Sequence, residues 1–276
     1  MKNASEPARF SALVLAGDRH GNDPVAALGN SGCKALTPVN GVPMLHRVVS
    51  TLQESLFVRD ITLVGPHRPL LERDPMMQGL LGSGEVTALE PAVSPSASAL
   101  RGLQHIPSRP VFVTTADHAL LRREIVDHFL EHSLSSSCDV TVAVTPLATV
   151  LAMFPDNRRT AIKLQGGPYC GSNMFAFMTP ESDKLAAFWR NIEEQRKNPR
   201  KVIASALGFT ATLKYLLGTL SLDQAMQRIS ATVGLRIGAV VMPFAEAAVD
   251  IDTVSDHQLV EKILLQRATI RSAECS

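Results

Sequence analysis

A short apolar segment that runs directly into glycine is the feature that most constrains this chain. The letters SALVLAG occupy residues 11–17, and the polar letters DRHG follow them. A run of this length and composition predicts a buried strand whose end opens into a loop. Backbone N–H groups freed by glycine can point at phosphate oxygens, while Arg19 and Lys34 supply positive charge. The segment therefore predicts a cradle for a nucleoside triphosphate.

The same loop and the segment after it resemble the N-terminal signature of the MobA-like nucleotidyltransferases. That signature reads L-A-G-G, then R-x-G, then K-x-L-x-x-x-x-G-x-P-x-L, and the chain matches it at Leu15, Ala16, Gly17, Arg19, Gly21, Lys34, Leu36, Gly41, Pro43 and Leu45. It departs from the signature at Asp18, which replaces the second glycine, and in residues 22–33, which form an insertion. The resemblance implies a GT-A-type α/β fold, with Leu15, Ala16 and Gly17 at the nucleotide and Arg19 and Lys34 as catalytic counter-charges.

Composition restricts the class of protein. The chain has 276 residues, 45% of them apolar, which is enough for one large α/β domain. A net charge of +1 does not favour binding to nucleic acid or to an anionic membrane. Scattered cysteines, with no C-x-x-C pair, indicate reduced thiols in the cytoplasm; they are Cys33, Cys138, Cys170 and Cys275. We see neither a secretory signal nor an apolar run that could span a bilayer.

Short apolar runs alternate with helix-length segments along the chain. Strands are predicted over 12–16, 61–64, 86–89, 111–115, 140–144, 174–177 and 237–242. Helices are predicted over 44–53, 96–105, 123–132, 182–195, 204–217, 222–230 and 255–266. This alternation predicts an α/β fold with a mostly parallel central sheet and helices on both faces. We expect a single domain, with a core over about 10–178 and 235–268 and a helical lobe over about 183–234.

A carboxylate stands at the end of one predicted strand. The letters VFVTTAD end at Asp117, which should lie at the open edge of the sheet. Mg²⁺ prefers one or two carboxylates together with phosphate oxygens. Asp117 is therefore predicted to be a Mg²⁺ ligand, and the family resemblance also places a metal-binding Asp here. The alternative is that Asp117 caps the helix that follows.

A second acidic segment, with the letters AVDIDTVSD, covers residues 248–256. Asp250 and Asp252 lie on the same side of the chain if this segment is extended. We predict Asp250 as the second Mg²⁺ ligand, with Asp252 as the alternative. The resembled family often ends in a similar motif, which is largely structural in many of its members.

Two further segments suggest substrate contacts. Small residues at a predicted helix start allow a base or ribose to approach, as in related cytidylyl- and guanylyltransferases, and Ser98 is the predicted contact. A glycine-rich loop before a strand ends at Asn173, which the resemblance places near the acceptor. The cations Arg158, Arg159 and Lys163 could hold an acceptor phosphate. The alternatives are a serine-capped helix and a solvated hairpin.

These features together predict a Mg²⁺-dependent nucleotidyltransferase. It would transfer a nucleoside monophosphate from CTP or GTP to a small phosphorylated acceptor and release pyrophosphate. Molybdopterin, a sugar phosphate and a polyol phosphate all suit the fold, and the cations before Asn173 favour a sugar or alditol phosphate. The alternatives are a nucleotide-sugar-dependent glycosyltransferase and a degenerate nucleotide-binding regulator, to which Asp18 and the insertion would point. Apolar helices of the lobe could form a homodimer face.

Overall fold

A central sheet with helices on both faces forms the framework of the protein. The computed structural model describes residues 9–18, 23–29, 31–155, 159–194, 215 and 218–274. The strands are β1 (Phe10–Leu15), β2 (Pro38–Val39), β3 (Val42–Pro43), β4 (Val58–Val64), β5 (Val86–Leu89), β6 (Val111–Thr115), β7 (Val140–Pro146), β8 (Ile162–Leu164), β9 (Gly167–Phe177) and β10 (Ile237–Val241). The helices are α1 (Met44–Glu54), α2 (Arg68–Arg73), α3 (Pro75–Ser83), α4 (Pro95–His105), α5 (Arg123–Ser135), α6 (Leu147–Met153), α7 (Asp183–Glu194), α8 (Leu222–Val233) and α9 (Val254–Glu274).

The sheet is mixed but mostly parallel. Its strand order is β10-β7-β9-β6-β1-β4-β5, and β8 pairs with β9 at one side. The pairs β1–β4, β1–β6, β4–β5 and β7–β10 are parallel. Only β9 runs antiparallel to its neighbours β6 and β7 in the described sheet. This arrangement confirms the predicted α/β fold and places the carboxyl ends of β1 and β6 side by side.

Both faces of β1 are buried, as is predicted by its sequence, which is apolar except at Ser11. Ala12 and Val14 pack into one cluster with apolar residues of α1 and α5. Leu13 and Leu15 point to the opposite face and pack with residues of α4, α7 and α8. A strand buried on both sides holds the start of the glycine loop in a fixed position.

The predicted helical lobe is described only in part. Its helices α7 and α8 contribute Ala186, Met226 and Ile229 to the apolar cluster on the second face of the sheet. The helix predicted over 204–217 lies outside the described residues except for Tyr215. The described helices of the lobe therefore pack on one face of the sheet, where α7 contacts α4.

The sequence prediction was wrong in the segment before Asn173. We expected a glycine-rich loop there, but β9 already begins at Gly167 and pairs with β8 and β7, and β8 with β9 forms the hairpin that was the alternative. Glycine and proline favour turns locally, and here the hydrogen bonds to two neighbouring strands override that preference. The structure also adds the helices α2, α3 and α6. No helix in the described part of the chain has the length and apolarity that crossing a bilayer requires.

Candidate active site

The glycine loop, Lys34, Asp117 and Asn173 meet at one cavity. It has a volume of about 390 Å³ and lies at the carboxyl ends of β1 and β6. Its lining residues are Leu15, Ala16, Gly17, Asp18, Asp23, Lys34, Ala35, Pro95, Val113, Thr114, Thr115, Ala116, Asp117, Asn173, Phe175, Trp189 and Asp252. This is the position at which open α/β sheets bind their ligands. Arg19 and Arg158, both predicted to bind phosphate groups, lie outside the described residues.

The glycine loop is held by a close backbone contact. Ala16 N donates to Val64 O at 3.0 Å, which continues the pairing of β1 with β4. Gly65, which follows β4, has a φ of +79°, and a Cβ built there would lie 2.7 Å from Gly17 Cα. The two glycines therefore pack backbone against backbone, and neither loop has space for a side chain at this point.

Substitution of Gly65 by alanine is expected to destabilise the protein by about 2–5 kcal/mol, since it adds the strain of a positive φ to a steric clash with Gly17. Gly84→Ala is the matched control, because Gly84 has a φ of +78° and no atom within 4 Å of its built Cβ. The control should cost only about 1–2 kcal/mol. Urea unfolding followed by circular dichroism measures both, and equal losses would contradict the Gly65–Gly17 contact.

Lys34 is oriented by three carboxylates. It begins a short 3-10 helix, Lys34–Leu36, and its backbone N–H donates to Asp18 Oδ1 at 2.9 Å. Its ammonium Nζ lies 2.6 Å from Asp117 Oδ2 and 2.9 Å from Asp252 Oδ1. Asp18, the residue that departs from the family signature, thus positions the backbone of Lys34.

The pair of Lys34 and Asp117 stays charged across the neutral pH range. Burial alone would lower the pKa of Lys34, but the neighbouring Asp117 and Asp252 raise it to about 12. Burial would raise the pKa of Asp117, yet the Lys34 ammonium holds it below its usual value of 3.8. The stability that Lys34 contributes is therefore complete below pH 10.5 and is lost as the pH rises through about 12. The contribution of Asp117 is present above pH 3.8 and is lost as the pH falls below it.

Asp250 has different partners from Asp252. Its carboxylate accepts a hydrogen bond from Arg159 and another from Asn173 Nδ2 at 2.8 Å. Arg159 also contacts Asp256 Oδ1 at 3.2 Å. Burial raises the pKa of Asp250, and the negative charges of Asp117 and Asp252 raise it further. Asp250, the predicted second metal ligand, is thus bound to Arg159 and Asn173, whereas Asp252 shares Lys34 with Asp117.

Ser98 and Lys163 lie away from the cavity lining. Ser98 is buried, and its Oγ accepts a hydrogen bond from Ala92 N at 2.9 Å, so that it braces the loop before α4. Lys163 is exposed on β8. The loop that Ser98 braces leads into α4, whose Pro95 lines the cavity, and the contact of Ser98 with the base stays a prediction.

Residues that the sequence did not single out complete the lining. Phe175 stands two positions after Asn173 on β9, and Trp189 comes from α7. Both line the cavity, and their ring centroids are 5.4 Å apart. The alternation of a strand could have placed Phe175 beside Asn173. Trp189 carried no comparable signal, because its place depends on how α7 packs against α4.

The carboxylates fit a divalent cation only in part. No group of three or more His, Cys, Asp or Glu side chains in the described residues has the arrangement of a complete metal site. Asp117 Oδ1 is buried, however, and accepts no hydrogen bond of good geometry from the described residues. A buried carboxylate oxygen without a donor is costly, so it suits a cation that also takes phosphate oxygens as ligands.

Comparisons with known proteins agree with this geometry. The family model described as the MobA-like NTP transferase domain matches residues 12–229. A structure described as a hypothetical transferase from Thermus thermophilus is 27% identical, with a TM-score of 0.74, and the match covers 90% of this chain and 99% of that one. No curated protein sequence is significantly similar to the chain.

Two more distant structures share the fold. The 4-diphosphocytidyl-2C-methyl-D-erythritol synthase of Anaerococcus prevotii is 14% identical, with a TM-score of 0.54 over 94% of this chain and 96% of its own. The 2-C-methyl-D-erythritol 4-phosphate cytidylyltransferase of Thermus thermophilus is 18% identical, with a TM-score of 0.51 over 93% of this chain and 98% of its own. Because the family model spans well over half of the chain, and the signature residues Leu15, Ala16, Gly17 and Lys34 border one cavity, this protein belongs to the MobA-like NTP transferases, a family of nucleotidyltransferases.

Proposed function

We propose that the protein transfers a nucleoside monophosphate from CTP or GTP to a small phosphorylated acceptor and releases pyrophosphate in a Mg²⁺-dependent reaction. The observation that carries this proposal is the convergence of the glycine loop, Lys34 and Asp117 on one cavity. A phosphorylated acceptor also agrees with the name of the Thermus thermophilus cytidylyltransferase, which specifies 2-C-methyl-D-erythritol 4-phosphate.

The reaction is a single displacement at phosphorus. An oxygen of the acceptor attacks the α-phosphorus of the nucleotide, the bond from the α-phosphorus to the bridging oxygen breaks, and pyrophosphate leaves. Positioning and charge stabilisation supply most of the catalysis in such reactions. The amides of the loop at Gly17 bind phosphate oxygens, and the ammonium of Lys34 neutralises the charge that develops on them.

Negative charge in the lining supports a role for a cation. The carboxylates of Asp18, Asp23, Asp117 and Asp252 face the cavity, and Lys34 is the sole cation among the described lining residues. A nucleoside triphosphate would be repelled by this field unless cations accompany it. Mg²⁺, when bound, neutralises phosphate charge and polarises the phosphate oxygens.

Asp117 is the ligand that we assign first, because its buried Oδ1 accepts no hydrogen bond of good geometry from the described residues. For the second carboxylate we favour Asp252 over the predicted Asp250. Asp252 already shares a cation with Asp117, whereas both carboxylate oxygens of Asp250 accept hydrogen bonds from Arg159 and Asn173. Asp250 then serves to position Asn173, whose φ of +44° is unusual for a residue other than glycine.

Pyrophosphate release tests the proposal. The four NTPs are offered with Mg²⁺, each against a panel of sugar, polyol and inositol phosphates and molybdopterin. We expect release that requires both one NTP and one acceptor. Stabilisation of the protein by a nucleotide sugar, without any release, would instead indicate a glycosyltransferase. Binding of an NTP without turnover against every acceptor would indicate a nucleotide-binding regulator.

A further inference from the structure

One wall of the cavity is aromatic. Trp189, the single tryptophan of the chain, lines the cavity beside Phe175. The two ring centroids are 5.4 Å apart, with an angle of 40° between the ring planes. Trp189 is partly exposed, so that its ring is not fully used by packing within the protein. Aromatic faces of this kind bind flat apolar surfaces of ligands.

The helix that carries Trp189 is anchored at both ends. Near its end, Glu193 accepts hydrogen bonds from Ser94 Oγ at 2.9 Å and from Ser96 N at 3.2 Å, at the start of α4. At its beginning, Asp183 forms an ion pair with Arg109. Trp189 and Glu193 are four residues apart and share one side of α7. The bonds of Glu193 therefore fix the indole beside the cavity before any ligand arrives.

Phe175 places the wall on the β9 side of the cavity. In the sheet, β9 is separated from β1 by β6, and Asn173 and Phe175 both belong to β9. The glycine loop and Lys34, which we assign to the triphosphate, follow β1. The acceptor must then approach from the side of β9, where Phe175 and Trp189 stand.

Polar groups line the same cavity as this wall. Asn173 and Thr115 offer hydrogen-bond acceptors there, of the kind that sugar hydroxyls need. An aromatic face with a polar rim matches a sugar ring, which has an apolar C–H face and hydroxyls at its edge. We propose that Trp189 forms the acceptor subsite and that the acceptor is a cyclic sugar phosphate rather than an open-chain polyol phosphate. This inference rests on the proposed nucleotidyl transfer.

The fluorescence of Trp189 tests the subsite directly, because the chain has no other tryptophan to contribute signal. Glucose 1-phosphate, mannose 1-phosphate and N-acetylglucosamine 1-phosphate are titrated with Mg²⁺ and the NTP present, against erythritol 4-phosphate and glycerol 3-phosphate. We expect a saturable change in emission with at least one cyclic phosphate and none with the open-chain compounds. The Trp189→Phe variant provides the blank.

Kinetics of two variants test the same subsite by a second route. With a cyclic acceptor, Trp189→Ala should raise the KM for that acceptor about tenfold and leave the KM for the NTP unchanged. Trp189→Phe, which keeps an aromatic face, should recover most of the loss. Phe57→Ala is the control for lost packing, since Phe57 is partly buried and precedes β4, which lies beyond β1 on the side of the sheet away from β9.

The outcomes separate this inference from the proposed function. Pyrophosphate release with an open-chain acceptor alone, or an unchanged KM for a cyclic acceptor in Trp189→Ala, overturns the subsite and leaves nucleotidyl transfer standing. Saturable binding of a cyclic phosphate at Trp189 without any pyrophosphate release supports a sugar-phosphate site there, but it contradicts nucleotidyl transfer and with it the role of that site as an acceptor subsite. Neither binding nor release with the whole panel overturns both.

Discussion

Lys34→Met is expected to lower kcat for pyrophosphate release by roughly 100- to 1000-fold, because the variant lacks the charge that stabilises the phosphates in the transition state. The methionine has a similar length and no charge. Loss of the lysine also leaves Asp117 and Asp252 without the ammonium that lies 2.6 Å and 2.9 Å from their carboxylate oxygens. Steady-state kinetics with the NTP and acceptor identified by the release assay give the value.

A loss of folding must be separated from a loss of chemistry in this variant. Lys34→Arg keeps the charge and should fold, with turnover between that of the wild type and Lys34→Met, since the guanidinium cannot occupy the same point between two carboxylates. Lys262→Met is the matched control, because Lys262 is exposed on α9 and does not line the cavity. Wild-type kcat in a folded Lys34→Met protein would refute the assignment of Lys34.

Asp117→Asn should lower turnover on the order of 1000-fold, for a separate reason. The amide preserves the shape of the side chain but removes the negative charge. Because the Lys34 ammonium donates to the Oδ2 position, the amide NH2, which is not a metal ligand, is expected at the buried Oδ1 position. We expect higher Mg²⁺ concentrations to restore little of the activity. Pyrophosphate release over a range of Mg²⁺ concentrations measures both effects.

Neighbouring carboxylates provide the comparison for Asp117. Asp252→Asn should raise the Mg²⁺ concentration needed for half-maximal rate by about 10- to 100-fold. Asp250→Asn should act mainly on stability and on the KM for the acceptor, because Asp250 binds Arg159 and Asn173. The exposed Asp223 serves as the neutral control in its Asn variant. Full activity of Asp117→Asn at ordinary Mg²⁺ concentrations would exclude Asp117 as a metal ligand.

The sheet could be predicted because its strands carry their signal locally. The run from Ser11 to Ala16 is apolar at every position but the first, which is typical of a strand buried on both faces. The placement of Asp117 after β6 followed from the same reasoning. By contrast, β9 contains three glycines and prolines in its first five residues, Gly167–Gly171, and was assigned to a loop. Its pairing with distant strands is a tertiary effect that local composition does not report.

The site was harder to predict than the fold, since its contacts join distant parts of the chain. Lys34 and Asp252 are 218 positions apart, and no local pattern indicates that they form an ion pair. The choice between Asp250 and Asp252 depended on which of them Arg159 and Asn173 engage. Trp189 reaches the cavity only because Glu193, one turn later on α7, binds the start of α4. Such contacts follow from packing.

The antiparallel strand β9 also determines when the protein can be completed during synthesis. Within the described sheet, β7 and β10 connect to β6 only through β9. When synthesis has reached the end of β7, the chain therefore still lacks β9, the strand that joins β7 to β6. The last carboxylates of the site, Asp250 and Asp252, emerge later still. Nucleotide binding by a nascent chain should thus begin only near the end of translation, and stalled chains that stop before β9 begins at Gly167 should expose the edges of β6 and β7 to aggregation.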